Sequence, residues 1–230
     1  MMVARGAYGE VRVDGDVAVK RQRSCKRAWA EYRVLRKLRD TGVAPLPHML
    51  RLPQDRASCE LYMERVVGPD LQLLASRRVR VPLALHHVVH AQRALVHLRA
   101  RGIVHADVKP ANVMLDSRSD ALKLIDFGIS VRAGDTSEAR WLYTPGYKPP
   151  EIAHVQPCAV VTATCVGDWY AMGVTLLQAF GGVARAPPSW WAVAVECERS
   201  VRDAGVRAAL LRMVTRPPAA RRLVFGRQAR

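Results

Sequence analysis

Residues 105–112 read His-Ala-Asp-Val-Lys-Pro-Ala-Asn, and fourteen residues past Asn112 come Asp126-Phe127-Gly128. The first stretch puts a carboxylate, an ammonium and a carboxamide in one short loop. The second adds another carboxylate. This is the set of groups that phosphoryl transfer from ATP requires. Asp107 suits a group that accepts the proton of a substrate hydroxyl. Asn112 and Asp126 suit holders of two magnesium ions that bridge the phosphates. The first stretch alone is moderately specific, because several phosphotransferase families carry something similar. Followed by Asp-Phe-Gly at this distance, it is strong.

Upstream, residues 8–20 alternate apolar and polar (Val11, Val13, then Val17, Val19) around Asp-Gly-Asp, which predicts a hairpin. Over 26–39, Trp29, Tyr32, Leu35 and Leu38 recur at three-residue steps, the pattern of an amphipathic helix. Residues 48–52 and 58–63 read as strands, and Gly68-Pro69 as a break. A second helix is expected over 83–100, with Leu83, Val88, Ala91, Leu95 and Leu98 inside. From 167 onward the chain reads as mostly helical, interrupted at Gly181-Gly182 and Pro187-Pro188. A strand-rich beginning with one helix is thus followed by a helical remainder. Pattern alone leaves two lobes and a single α+β domain both open.

Composition narrows the classes. The chain has 230 residues, half of them hydrophobic, enough for one compact domain or two small lobes. No run approaches the roughly 18–20 apolar residues of a membrane span. The N-terminus lacks the basic-then-apolar layout of a signal peptide. The five cysteines (Cys25, Cys59, Cys158, Cys165, Cys197) are odd in number and scattered, and are expected as thiols in a reduced intracellular setting, cytoplasm or nucleus. A net charge of +16 favours acidic partners, although abundant arginine on solvated faces accounts for it more readily. No basic stripe interleaved with aromatics marks a specific nucleic-acid reader.

The 105–128 region resembles the eukaryotic-type protein kinase catalytic domain of the Ser/Thr type. Similar motifs follow in order from about residue 4 to 222. Ala4-Arg-Gly-Ala-Tyr-Gly-Glu-Val11 resembles the glycine-rich loop, with Gly6 and Gly9 in the second and third glycine positions and the preceding strand almost missing. Val11 and Ala18 are then expected against the nucleotide. Val17-Ala-Val-Lys20 resembles the strand whose lysine meets the α- and β-phosphates, with Glu31 as its partner. Leu61 to Asp70 resembles the hinge. Met63 is the gatekeeper, the backbone of Glu64 and Val66 meets adenine, Asp70 meets ribose, and Met114 lies under the base. The resemblance makes Asp107 the base and Lys109 the group that reaches the transferred phosphoryl. His105 is structural, packed on Phe127. Residues 129–148 become the activation loop. Tyr143-Thr-Pro-Gly-Tyr-Lys-Pro-Pro-Glu151 resembles Gly-Thr-Pro-Gly-Tyr-x-Ala-Pro-Glu, with Thr144 touching Lys109 and Asp107 and Glu151 paired to Arg221. Asp168 matches the buried aspartate that ties the catalytic loop to a central helix.

The resemblance implies an α+β, bilobal kinase-like fold: an N-lobe over 1–64, a hinge over 65–69 and a helical C-lobe over 70–230. It implies ATP, Mg²⁺ and protein substrates bearing serine or threonine. Ala106 stands where the family usually has an arginine that pairs with a loop phosphate, which implies activity independent of loop phosphorylation. Ala111 stands where basophilic kinases often place a glutamate; with the positive charge, this leans toward acidic or already phosphorylated substrates. Three other readings stay open: a pseudokinase scaffold, a small-molecule kinase (disfavoured by Thr144–Glu151), and a piece of a longer gene entered at Met1-Met2. In style the compact Arg/Ala-rich chain resembles kinases of large DNA viruses, such as herpesviruses, as much as bacterial ones.

Overall fold

The computed structural model describes residues 2–6, 9–51, 59–76, 84–181 and 189–215. The expected hairpin forms from β2 (Gly9–Asp14) and β3 (Val17–Gln22). Its turn uses Gly15 at φ 56°, a conformation that glycine adopts without steric cost. With β1 (Met2–Gly6), β4 (Pro47–Arg51) and β5 (Cys59–Glu64) these strands make one antiparallel sheet, ordered β1-β2-β3-β5-β4. The strand before the glycine-rich loop is therefore present. It runs for five residues, paired from Met2↔Val13 to Gly6↔Gly9. Main-chain groups make this pairing, so the edge of β2 recruits a short segment with no strong strand pattern of its own.

α1 (Cys25–Leu38) follows β3, with the Ser24 hydroxyl accepting from Arg27 N. Its buried row is Ala28, Glu31, Leu35 and Leu38, while Trp29 is 41% exposed. The first half of the helix is thus rotated by one residue from the apolar periodicity. The inner face must present Glu31 to β3, and the aromatic pair Trp29–Tyr32 packs edge to face outside. The register Gln22↔Cys59 also brings the start of α1 beside β5. Cys25 and Cys59 are joined as a disulfide, with Cα atoms 5.1 Å apart. This departs from the expectation of five thiols; Cys158, Cys165 and Cys197 remain free.

Beyond residues 65–70 the chain is mostly helical: α2 (Leu71–Ser76), α3 (Leu85–Ala100), α4 (Pro150–Ala153), α5 (Cys165–Gly181), α6 (Trp190–Ser200) and α7 (Ala204–Val214). Short antiparallel pairs lie between them. These are β6 (Ile103–Val104) with β9 (Val131–Arg132), β7 (Val113–Asp116) with β8 (Ala121–Leu124), and β10 (Thr136–Glu138) with β11 (Val160–Thr162). Val88, Ala91, Leu95 and Leu98 are buried as the periodicity of α3 predicts, and Leu83 lies outside the described residues. α5 is the central helix, packed by α2, α3, α6 and α7. A Cβ on Gly173 would stand 2.5 Å from Val214 Cγ1, so glycine permits the close approach of α7.

The start of α3 is clasped to the β7–β8 turn. Ala84 N donates to His87 Nδ1 at 3.2 Å, which makes Nε2 the protonated nitrogen of the neutral ring. That Nε2–H faces Asp120 Oδ1 at 3.3 Å, and His86 Nε2 lies 2.7 Å from Oδ2. With the His87 lone pair already used on Ala84, these three side chains form a hydrogen-bonded clasp rather than a ligand set. Among the described residues no helix is long and apolar enough to cross a membrane.

Candidate functional site

Two clusters face each other where the sheet meets the helical part. The first is built on β3, which carries Lys20 and Gln22 on one face because strand side chains repeat every two residues. Lys20 Nζ donates to Glu31 Oε1 at 2.9 Å and Oε2 at 2.8 Å, and to Asp126 Oδ1 at 2.7 Å. Gln22 Nε2 and the backbone N–H of Phe127 also donate to Glu31. Burial works against the Lys20 charge, but the Glu31 and Asp126 carboxylates outweigh it and hold its pKa above the ordinary lysine value. Burial likewise opposes ionisation of Asp126, and Lys20 overcomes it, so Asp126 sits below the usual carboxylate range. Glu31 is the more deeply enclosed, and burial pushes its pKa up.

The second cluster is the loop after β6. Asp107 is 7% exposed, and both its oxygens are engaged. Oδ1 accepts from Thr144 Oγ1 at 2.6 Å. Oδ2 accepts from Lys109 Nζ at 2.8 Å and Asn112 Nδ2 at 2.9 Å. Lys109 Nζ also donates to Thr144 Oγ1 at 3.1 Å. A lysine and a hydroxyl from two separate segments thus converge on one carboxylate. His105 underlies the loop: Nε2 donates to Ile125 O, Nδ1 accepts from Asp107 N, and the ring lies 4.7 Å from Phe127. Burial lowers its pKa, and the ring is neutral. Asp168, fully enclosed on α5, accepts from His105 N at 2.7 Å and Ala106 N at 3.1 Å. Burial raises its pKa to about 7, against the pull of those two N–H groups.

The predicted nucleotide-facing residues occupy one region. Val11 pairs with Lys20, and Ala18 with Met63, across neighbouring strands. A side chain on Gly9 would run into the Arg21 carbonyl, so β2 closes tightly on β3 only with glycine there. Gly6 pairs with Gly9 where β1 meets β2. Glu64 N donates to Leu46 O, and its carboxylate pairs with Lys123 at 3.0 Å. Val66 N–H and C=O make no hydrogen bond among the described residues. Asp70 is bridged to Met114, and its carboxylate accepts from Leu73 N at 2.7 Å, capping α2. Gly68, at φ 146°, lies so close to the Leu115 carbonyl that any Cβ would overlap it. Arg221, the predicted partner of Glu151, lies outside the described residues.

The donor set fits magnesium. Both Asn112 Nδ2 bonds go to Asp107, at 2.9 Å each, leaving the amide oxygen outside them. Asp126 Oδ1 takes Lys20 and Gly128 N, while Oδ2 has no hydrogen bond among the described residues. Hard oxygen donors of this kind are what magnesium takes. Two residues of the site escaped the sequence reading. Gln22 was detectable as the next residue on the Lys20 face. Tyr143 was detectable as the position where the compared pattern carries glycine.

A family model described as "Protein kinase domain" matches residues 12–193. The serine/threonine-protein kinase Kist of Mus musculus is 35% identical over 97 residues, covering 39% of this chain and 23% of that protein. The serine/threonine-protein kinase mos of Patiria pectinifera is 35% identical over 124 residues, 50% of this chain and 32% of its own. CBL-interacting protein kinase 4 of Oryza sativa subsp. japonica is 37% identical over 131 residues, 52% of this chain and 29% of its own. The matched regions span less than a third of each of these curated relatives.

Proposed function

Because the chain belongs to the protein kinase domain family, we propose that it transfers the γ-phosphate of ATP to serine or threonine hydroxyls of protein substrates. The observation that carries this reading is the convergence of Lys109 and Thr144 on Asp107, opposite Lys20–Glu31–Asp126. In this reading residues 1–64, 65–69 and 70–230 are N-lobe, hinge and C-lobe. The backbone groups of Val66 are available to the adenine edge. Lys20, fixed by Glu31, receives the inner phosphates. Magnesium held by Asn112 and Asp126 supplies charge neutralisation at the phosphates. Asp107 orients the substrate hydroxyl and takes up its proton. Lys109 reaches the transferred group, where it offsets developing charge. Positioning and electrostatics supply most of the rate in such a site.

The test is transfer of labelled phosphate from Mg-ATP to casein, histone and the chain itself, with Asp126→Asn alongside. Labelled phosphoserine or phosphothreonine from the wild type alone supports the proposal. No transfer from folded wild type would favour a nucleotide-binding scaffold instead.

A further inference from the structure

A cavity of about 410 Å³ opens where the end of α1 meets α3 and β8, and it shares no residue with the two clusters. One wall is the turn after α1, residues 41–43, and another is Ala121 and Leu122 of β8. The third is α3, which contributes His90, Arg93 and His97. Steps of three and four residues place these on one face of the helix. Among the described residues no carboxylate lines the cavity. Asp120, beside Ala121, is engaged by His86 and His87, and Asp40 on the facing turn pairs with Arg39 at 3.5 Å. The basic wall carries donors that the protein does not use. Arg93 is exposed and makes no hydrogen bond or ion pair among the described residues. His90 Nδ1 is enclosed and has no hydrogen-bond partner among them. Arg101 Nη1 donates to His97 Nδ1 at 3.5 Å, which leaves the proton of that neutral ring on Nε2.

We propose that this cavity is a binding site for a phosphate group, carried by a phosphorylated protein side chain or present as free inorganic phosphate. The site is separate from phosphoryl transfer and does not depend on it. The Arg93 guanidinium offers a planar fork that matches phosphate oxygens. The two imidazoles add donors and gain charge once an anion lies beside them. Small-molecule sites run to about 300–1,000 Å³, so the cavity has room for more than the phosphate itself. Val43, Ala121 and Leu122 give apolar cover to the carbon atoms of an ester. The groups facing His90 are His86, His87, Arg93 and Asp120, and those facing His97 are Arg93 and Arg101. Burial and the neighbouring basic groups hold both rings below the usual histidine range. A bound anion relieves that repulsion and raises both values. Its affinity therefore gains at low pH, and the gain is lost as pH rises above the values of the bound rings.

The histidine ring signals of the full chain, followed by NMR without nucleotide or magnesium, test this without any turnover. The probes are inorganic phosphate and a phosphoserine peptide, with the unmodified peptide as control. The expected result is a saturable shift of the His90 and His97 signals, with both rings titrating at higher pH when phosphate is bound. Sulfate, whose charge is constant between about pH 5 and 8, should bind more tightly as pH falls across that range. Arg93→Ala should weaken binding about 10- to 100-fold, the scale of a hydrogen bond to a charged group. Arg99→Ala, at an exposed arginine of the same helix outside the cavity, should leave binding unchanged. Both side chains are exposed, so both variants should fold. Tighter binding of the phosphopeptide than of inorganic phosphate assigns the site to a protein ester, and affinity no higher assigns it to free phosphate. Equal losses in Arg93→Ala and Arg99→Ala would mean an adventitious ion only, drawn by the net charge of +16, and would overturn the inference. So would His90 and His97 signals that stay in place.

Discussion

The Cys25–Cys59 bond makes a strong quantitative prediction. Cys25 is the first residue of α1, and Cys59 opens β5, 34 residues later. Closing a loop of that length removes denatured-state entropy worth about 4 kcal/mol in the chain-entropy picture. For a chain of this size that corresponds to ~10 °C in melting temperature. The cleanest perturbation is Cys25→Ala. Cys59 is fully buried and keeps its packing, whereas Cys25 is only partly covered, so the variant deletes the link with little cavity. Urea unfolding of oxidised wild type and variant, without reductant, should separate them by roughly that amount. Adding dithiothreitol should bring wild type to the variant and leave the variant unmoved. The link also sits six residues before Glu31, ~9 Å along the helix axis. Fraying from the freed end therefore reaches the carboxylate that fixes Lys20, and phosphate transfer should weaken alongside stability. Equal unfolding midpoints for oxidised wild type and variant, at equal m-values, would refute the reasoning.

Three more predictions follow. Lys20→Met should abolish phosphate transfer and cost about 3–5 kcal/mol, because it strands Glu31 buried without its cation; urea unfolding would show the cost easing at low pH, where Glu31, with its raised pKa, protonates. Gly68→Ala should destabilise by about 2–4 kcal/mol, because φ 146° is closed to alanine and its Cβ would overlap the Leu115 carbonyl; the readout is melting temperature, and a shift under ~2 °C would count against it. Asp168, with a folded pKa raised from 3.8 to about 7, contributes stability that is fully present below 3.8 and is lost as pH rises to about 7; kcat should run the opposite way across that window, since the ionised form holds the catalytic loop, and parallel melting and rate profiles over pH 5–8 would check both signs.

The catalytic loop was legible because its residues are neighbours in sequence. His105, Asp107, Lys109 and Asn112 lie within eight residues, and their mutual bonds follow from that spacing. Lys20, Glu31 and Asp126 were legible only as an ordered set, since Lys20 and Asp126 are 106 residues apart. The phase of α1 was not legible. Apolar periodicity counts Trp29 as interior, but the inner row is fixed by a charged residue, Glu31, whose partner lies on another element. The disulfide was hidden for a related reason. Nothing local marks Cys25 and Cys59 as partners until the β3–β5 register is known.

Tyr143 and Gly167 show a different limit. Read singly, a tyrosine in the place of the pattern's glycine looks like drift, and a glycine near the start of a helix looks like a weak helix former. Together they are complementary: the ring takes the space that a Cβ on Gly167 would need, and the hydroxyl donates to Thr164 O at 3.4 Å just before the helix. The pairing also explains why a positive φ, 61° at Tyr143, survives without glycine. The hydrogen bonds to Ala106 O and Thr164 O act on the backbone and the side chain of the same residue, so both must break before Tyr143 can relax. A double-mutant cycle between Tyr143→Phe and Gly167→Ala should therefore show strong coupling, because a Cβ at 167 meets the phenol oxygen first, whereas additive effects would mean the two residues act apart.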